Sequence, residues 1–104
     1  MRAGVGKVVA VFHENGCGYI RPDKSAPDVS FKFNRDPNHP ESTPVGCNDL
    51  DRIPAVGDNI VVNWTIFNGQ LIAKKWAFLD DLVPREEMIL GWDPIKAILA
   101  LIER

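Results

Sequence analysis

Apolar residues in the first two thirds of the chain recur in short β-branched runs separated by turn residues, a pattern typical of an all-β domain. Val5 to Val11 predicts a first strand, Gly18 to Arg21 a second and Val29 to Phe33 a third. A tight turn at Glu14-Asn15-Gly16 is expected to join the first two strands into a hairpin, and Pro22-Asp23 to end the second.

Two more strands are predicted further along the chain. Ile60 to Phe67 is followed by Asn68-Gly69, a strong hairpin signal, and Leu71 to Leu79 returns as the fifth strand. We therefore expect a mainly β fold, a five-stranded antiparallel Greek-key barrel of the OB type. Residues 34–54, between the third and fourth strands, are rich in proline and small polar residues, which predicts a long loop that is mobile or functional.

The C-terminal segment carries helix signals instead. Pro84 followed by Arg-Glu-Glu predicts a short helix with acids at the positive end of its dipole. Asp93-Pro94 predicts a second helix, with an N-cap before a proline at the first helical position. We expect residues 1–79 to form the barrel and residues 80–104 to add one or two helices.

Many apolar side chains lie in this extension, and they need a partner surface. In the second helix they form a stripe with Leu101 off it: Ile95, Ile98, Leu99 and Ile102. Three arrangements stay open. The helices pack on the barrel and close its open end, they form a homodimer or protein-partner interface, or they cover the ligand-binding face of the barrel.

The charge distribution is uneven along the chain. The formal net charge is −2, which argues against a generic polyanion binder, since phosphate affinity comes chiefly from Lys and Arg. Residues 1–35, however, hold six basic residues against three acids, whereas residues 36–60 hold one against five. The first three predicted strands thus lie in the basic part of the chain.

Two segments resemble the cold-shock domain family. Asn15-Gly16-Cys17-Gly18-Tyr19-Ile20 corresponds to the family segment Lys-Gly-Phe-Gly-Phe-Ile, and Val29-Ser30-Phe31-Lys32-Phe33 to Val-Phe-Val-His-Phe. The resemblance covers roughly residues 5–78, interrupted by the loop at 34–54. It implies an OB barrel whose sheet face stacks single-stranded bases on aromatic side chains. On the residues alone, Gly16 and Gly18 equally suit a tight hairpin and barrel curvature.

Several stacking positions of the family are changed in this chain. The family's exposed Trp is Ala10, and the stacking Phe and His of the third strand are Ser30 and Lys32. The first Phe of the paired-glycine segment is Cys17, and the lysine before it is Asn15. Stacking contributes roughly 1–3 kcal/mol per base, so these changes predict a weak binder.

The resemblance and the remaining residues together predict a weak, unspecific site for single-stranded RNA or DNA, with no cofactor. The expected base-stacking residues are Phe12, Tyr19 and Phe33, and the expected phosphate-binding residues are Lys7 and Lys32. An alternative is a non-enzymatic protein-interaction module that keeps the barrel, has lost nucleic-acid binding and uses its C-terminal helices for dimerisation or partner binding. The acidic balance and the depleted aromatics motivate that alternative.

No other chemistry is indicated. The chain has no Gly-rich phosphate loop and no nucleophile elbow, so we expect no enzymatic activity. His13 and Cys17, with His39 and Cys47, match no common zinc spacing, so we expect no metal site. No signal sequence or membrane-spanning apolar run is present, which predicts a cytoplasmic protein without membrane contact.

Overall fold

The computed structural model describes residues 2–22, 27–33 and 53–103. The strands in this part of the chain are β1 (Arg2–Phe12), β2 (Cys17–Arg21), β3 (Val29–Lys32), β4 (Asn59–Phe67) and β5 (Gln70–Phe78). The helices are α1 (Leu79–Leu82), α2 (Arg85–Leu90) and α3 (Pro94–Glu103). The loop expected at 34–54 lies outside the described residues apart from positions 53 and 54.

The five strands close into a barrel in the order β1-β2-β3-β5-β4, which confirms the predicted OB-like architecture. Four of the neighbouring pairs are antiparallel. The pair that closes the barrel, β3 with β5, is parallel and meets at a bridge between Ser30 and Ile72. The helices follow β5, as expected, and α1 adds a short turn that the sequence signals did not predict.

Strand β1 pairs with two different strands along its length because it bends. Its first half pairs with β4, from Arg2 opposite Trp64 to Lys7 opposite Asn59, and its second half pairs with β2. The switch comes at a bulge between Val8 and Ala10. Such a bulge increases the local twist of a strand, which lets β1 turn the corner of the barrel.

Both hairpins predicted from turn residues form. Gly16 has φ +66°, and its N–H donates a hydrogen bond to the Phe12 carbonyl at 2.9 Å. Asn68 and Gly69 have φ +52° and +78°. Positive φ at both central residues is the requirement of a type I′ turn, which explains why Asn-Gly predicts this hairpin.

Aromatic side chains fill the barrel core. Trp76 lies at its centre, with ring centroids 5.1 Å from Phe31 and 5.5 Å from Phe78 in edge-to-face contacts. The Trp76 indole N–H donates to the Lys32 carbonyl at 3.0 Å. This bond ties β5 to the end of β3, where the two strands share little backbone pairing.

A second apolar cluster joins the helices to the outside of the barrel. Val61 of β4 and Ala77 of β5 point away from the barrel interior and meet the helices. The other buried members come from the C-terminal segment: Leu79, Val83, Ala97 and Leu101. Val5, in the first half of β1, packs against this cluster. The helices therefore cover the outer surface of β1, β4 and β5.

The packed face of α3 differs from the expected one. Ala97 and Leu101 are fully buried against the barrel, and Ile98 of the predicted stripe packs partly buried beside them. The other three members of the stripe, Ile95, Leu99 and Ile102, are exposed. Because α3 is apolar around most of its circumference, periodicity alone does not select a face. Ala97 is instead buried in the cluster with Val61 of β4 and Ala77 of β5.

Both ends of α3 are held by hydrogen bonds. The Asp93 carboxylate accepts a hydrogen bond from the Ile95 N–H at 2.9 Å, so the predicted N-cap forms. At the other end, Lys75 Nζ of β5 donates to the Ile102 carbonyl at 3.3 Å. A cation at a helix C-terminus is favourable because the carbonyls there carry partial negative charge.

Candidate nucleic-acid interface

The outward surface of β1, β2 and β3 carries the residues that the sequence singled out. Side chains alternate along each strand, and the registers bring the outward ones into cross-strand rows. We refer to these rows as the β1–β2–β3 face: Phe12, Cys17 and Lys32 in one row, Ala10, Tyr19 and Ser30 in the next, and Lys7 with Arg21 in the third.

Two aromatic rings stand on this face as diagonal neighbours. Phe12 is 45% exposed and Tyr19 is 41% exposed. Their centroids are 6.0 Å apart and their planes are perpendicular. A base that stacks on one ring therefore meets the edge of the other, so the pair forms a platform for one base.

The two lysines lie on either side of this platform. Lys7 precedes the β1 bulge, and Lys32 lies across Cys17 from Phe12; both side chains are exposed. Within the described residues neither lysine forms a salt bridge. As far as the described residues are concerned, both ammonium groups are available to a phosphate.

Arg21 is paired differently. Its Nε donates to Asp28 Oδ1 at 2.9 Å and its Nη2 to Oδ2 at 3.4 Å. This hydrogen bonding, together with the charge of Asp28, raises the pKa of Arg21. The carboxylate offsets the arginine charge, so Lys7 and Lys32 supply the uncompensated positive charge of the face.

Phe33 does not lie on the face, which contradicts its expected base-stacking role. Its side chain is 2% exposed and belongs to the barrel core. Because strand side chains alternate, Phe33 shares the inward side with Phe31, at a centroid distance of 5.9 Å. The Phe33 N–H also donates to the Gly16 carbonyl at 2.9 Å, which fastens the end of β3 to the β1–β2 turn.

Gly18 is explained by close approach of the strands. A Cβ at this position would overlap the carbonyl oxygen of Ala10 and lie 3.0 Å from Cε1 of Phe31. Close packing of the strands therefore requires glycine at the second glycine position of the family-like segment, whatever the face binds.

A cleft next to the face was not predicted. It measures about 260 Å³ and lies where β3 meets β5. Ser30 and Lys32 line it from β3, and Gln70 and Ile72 from β5. Since β3 and β5 are far apart in sequence, no local pattern could have placed Gln70 beside Ser30.

The helical extension leaves the β1–β2–β3 face uncovered. The helices pack on β4, β5 and the first half of β1, while Phe12 and Tyr19 stay exposed. The arrangement in which the extension covers the ligand-binding face is therefore wrong.

Among residues 2–22, 27–33 and 53–103, no three His, Cys, Asp or Glu side chains form a group that could hold a metal ion. His39 and Cys47 lie outside those ranges. None of the helices within the same ranges is long and apolar enough to span a membrane.

No protein-family model matches the chain, and a search of curated proteins found no match.

Proposed function

We propose that this protein is a divergent cold-shock-like OB barrel that binds single-stranded RNA or DNA weakly and with little sequence preference. One observation carries the proposal. An exposed pair of aromatic rings, Phe12 and Tyr19, stands between two exposed lysines, Lys7 and Lys32, on a sheet face that the rest of the described chain leaves open.

The composition of the face sets the expected affinity. Stacking on an aromatic ring contributes roughly 1–3 kcal/mol per base, and the perpendicular rings offer one stacking platform. Two lysines add phosphate contacts that weaken as salt rises. We expect dissociation constants of roughly tens of micromolar at low salt.

Low sequence preference follows from the same chemistry. Every base has a π-face, so a stacking platform discriminates poorly between bases. Neutral hydrogen-bonding groups that could contact a base edge lie beside the platform, on Ser30 and Gln70 in the β3–β5 cleft. Any modest preference is expected to depend on those two side chains.

Fluorescence anisotropy with labelled oligo-dT and oligo-U at low salt tests the proposal. Tyr19→Ala removes a ring of the platform and is expected to weaken binding about 5- to 140-fold. Tyr19→Phe keeps the ring and is expected to bind like the unaltered protein. Leu90→Ala, at a residue that is 87% exposed on α2, is the control away from the face.

Two results would contradict the proposal. One is an unaltered protein that shows no binding at tens of micromolar. The other is a Tyr19→Ala variant that binds as well as the unaltered protein.

A second candidate function, a protein-interaction module, is favoured by one observation. Large apolar side chains on α3 remain exposed after the helix has packed on the barrel: Ile95, Leu99 and Ile102. A test by truncation near Leu79 would also uncover Val61 and Ala77, so variants that keep the helices are the better test.

A further inference from the structure

Helix α3 presents an apolar stripe to solvent. Ile95, Leu99 and Ile102 are 66%, 51% and 50% exposed. They follow one another at spacings of four and three residues, so they form a line along the helix. The buried residues Ala97 and Leu101 are on the barrel side, so the stripe points away from the barrel.

Two opposite charges flank this stripe on the same side. Viewed along the axis of α3, at 3.6 residues per turn, Lys96 lies about 100° around the helix from Ile95. Glu103 lies about 80° around the helix from Ile95 in the same direction. One is near the start of α3 and the other at its end, and both are exposed. In the part of the chain that the structure describes, neither forms a salt bridge.

From this arrangement we propose that α3 is a homodimer interface, in which it pairs antiparallel with α3 of a second copy about a twofold axis near Leu99. This pairing sets Ile95 of one copy opposite Ile102 of the other. Residues on the same flank meet in an antiparallel helix pair, so Lys96 faces Glu103 of the second copy, and symmetry forms this ion pair twice.

The charges select the orientation and the occupant. In a parallel pair, residues of the same flank lie on opposite sides of the interface, so neither Lys96 nor Glu103 would meet an opposite charge on this flank of the second copy. In the antiparallel orientation, the apolar stripe and the two charges beside it are therefore complementary to the same surface on a second copy.

The interface is small, so the dimer is weak. A helix of ten residues is about 15 Å long. A pair of such helices buries less than the roughly 1,200 Å² at which stable interfaces begin. We expect a dissociation constant of roughly 100 µM to 1 mM.

Dimerisation through α3 does not depend on nucleic-acid binding. The helix packs on the side of the barrel formed by β4, β5 and the first half of β1. The β1–β2–β3 face of each copy therefore stays open in the dimer.

Sedimentation velocity on the chain, without nucleic acid and up to about 1 mM protein, tests the proposal. The average mass is expected to rise towards that of a dimer. Leu99→Lys places two ammonium groups at the twofold axis and is expected to weaken association at least tenfold. Leu90→Lys, with the same charge change on α2, is expected to leave it unchanged.

A charge exchange tests the antiparallel pairing itself, at exposed positions that do not endanger folding. Lys96→Glu alone and Glu103→Lys alone each create two repulsive contacts and are expected to weaken self-association. A mixture of these two variants forms two attractive contacts and is expected to associate again. Circular dichroism checks that each variant is folded.

Three results would overturn the proposal: a monomer at every concentration up to about 1 mM, a dimer that Leu99→Lys leaves intact, or a mixture of the two charge variants that does not associate. In the first case another occupant covers the stripe.

Discussion

Cys17 is the position where the face departs most clearly from a strong stacking surface. It lies on the outward side of β2 between Phe12 and Lys32 in one cross-strand row, and it is partly exposed. The family that the chain resembles has an aromatic residue there. The thiol has no π-face, so Phe12 supplies the aromatic ring of this row.

Restoring that ring is expected to increase affinity. Cys17→Phe adds a second stacking platform beside Tyr19, worth roughly 1–3 kcal/mol, or about 5- to 140-fold tighter binding to oligo-dT or oligo-U. Cys17→Leu adds apolar area without a π-face and serves as the matched control. Equal anisotropy titrations for the two variants would contradict stacking on this face.

At the residue scale, the sequence predicted the outward direction of Tyr19 and Lys32 but not the inward direction of Phe33. Tyr19 and Lys32 are exposed on the β1–β2–β3 face, as expected from the alternation of side chains along a strand. The resemblance assigns Phe33 to stacking, although Phe33 lies two residues after Phe31 and therefore on the same side of the strand. Side chains alternate between the two sides of a strand, so the rings of Phe31 and Phe33 both point into the core.

Helix α3 shows how the packing of an element differs from its pattern. Its start was predictable because Asp93-Pro94 is a local signal, and the Asp93 side chain does cap the helix. Its packed face was not predictable, because it depends on how α3 is seated against β4 and β5. The same reason applies to the β3–β5 closure, which is a contact between strands that are not consecutive.

Shortening a side chain to alanine is expected to change the free energy of unfolding differently on the two sides of α3. Leu101→Ala leaves a cavity at a fully buried position and is expected to lower the free energy of unfolding by about 2–5 kcal/mol. Leu99→Ala, at a half-exposed position, is expected to change it by no more than about 0.5 kcal/mol. Urea unfolding followed by tryptophan fluorescence measures both. Dilute protein keeps self-association out of the comparison.

Similar losses for the two variants would mean that α3 is rotated differently on the barrel. A small loss for Leu101→Ala would mean that α3 contributes little to the fold.

On the scale of the whole molecule, positive charge is concentrated in one part of an acidic chain. The net charge is −2, yet residues 1–35 hold six basic residues against three acids. The structure places Lys7 and Lys32 of that segment beside the aromatic pair, and it pairs Arg21 with Asp28. An acidic protein can therefore present a small positive surface to a phosphate backbone.

This charge separation predicts a shallow salt dependence. Each phosphate contact contributes about 0.7 to the slope of log affinity against log salt for single strands. Lys7→Ala and Lys32→Ala are each expected to reduce the slope by about that amount. Arg85→Ala removes one positive charge from α2 and is the matched control. A slope that falls equally in all three variants would show that net charge, rather than the face, drives binding.

The most direct test of the central claim is NMR shift mapping with a short single-stranded oligonucleotide. We predict that the amide shifts change on the second half of β1, on β2 and on β3, most strongly around Phe12, Tyr19 and Lys32. The helices are expected to stay unperturbed. Shift changes confined to α2 and α3, or the absence of any change at protein and oligonucleotide concentrations of about 1 mM, would contradict it.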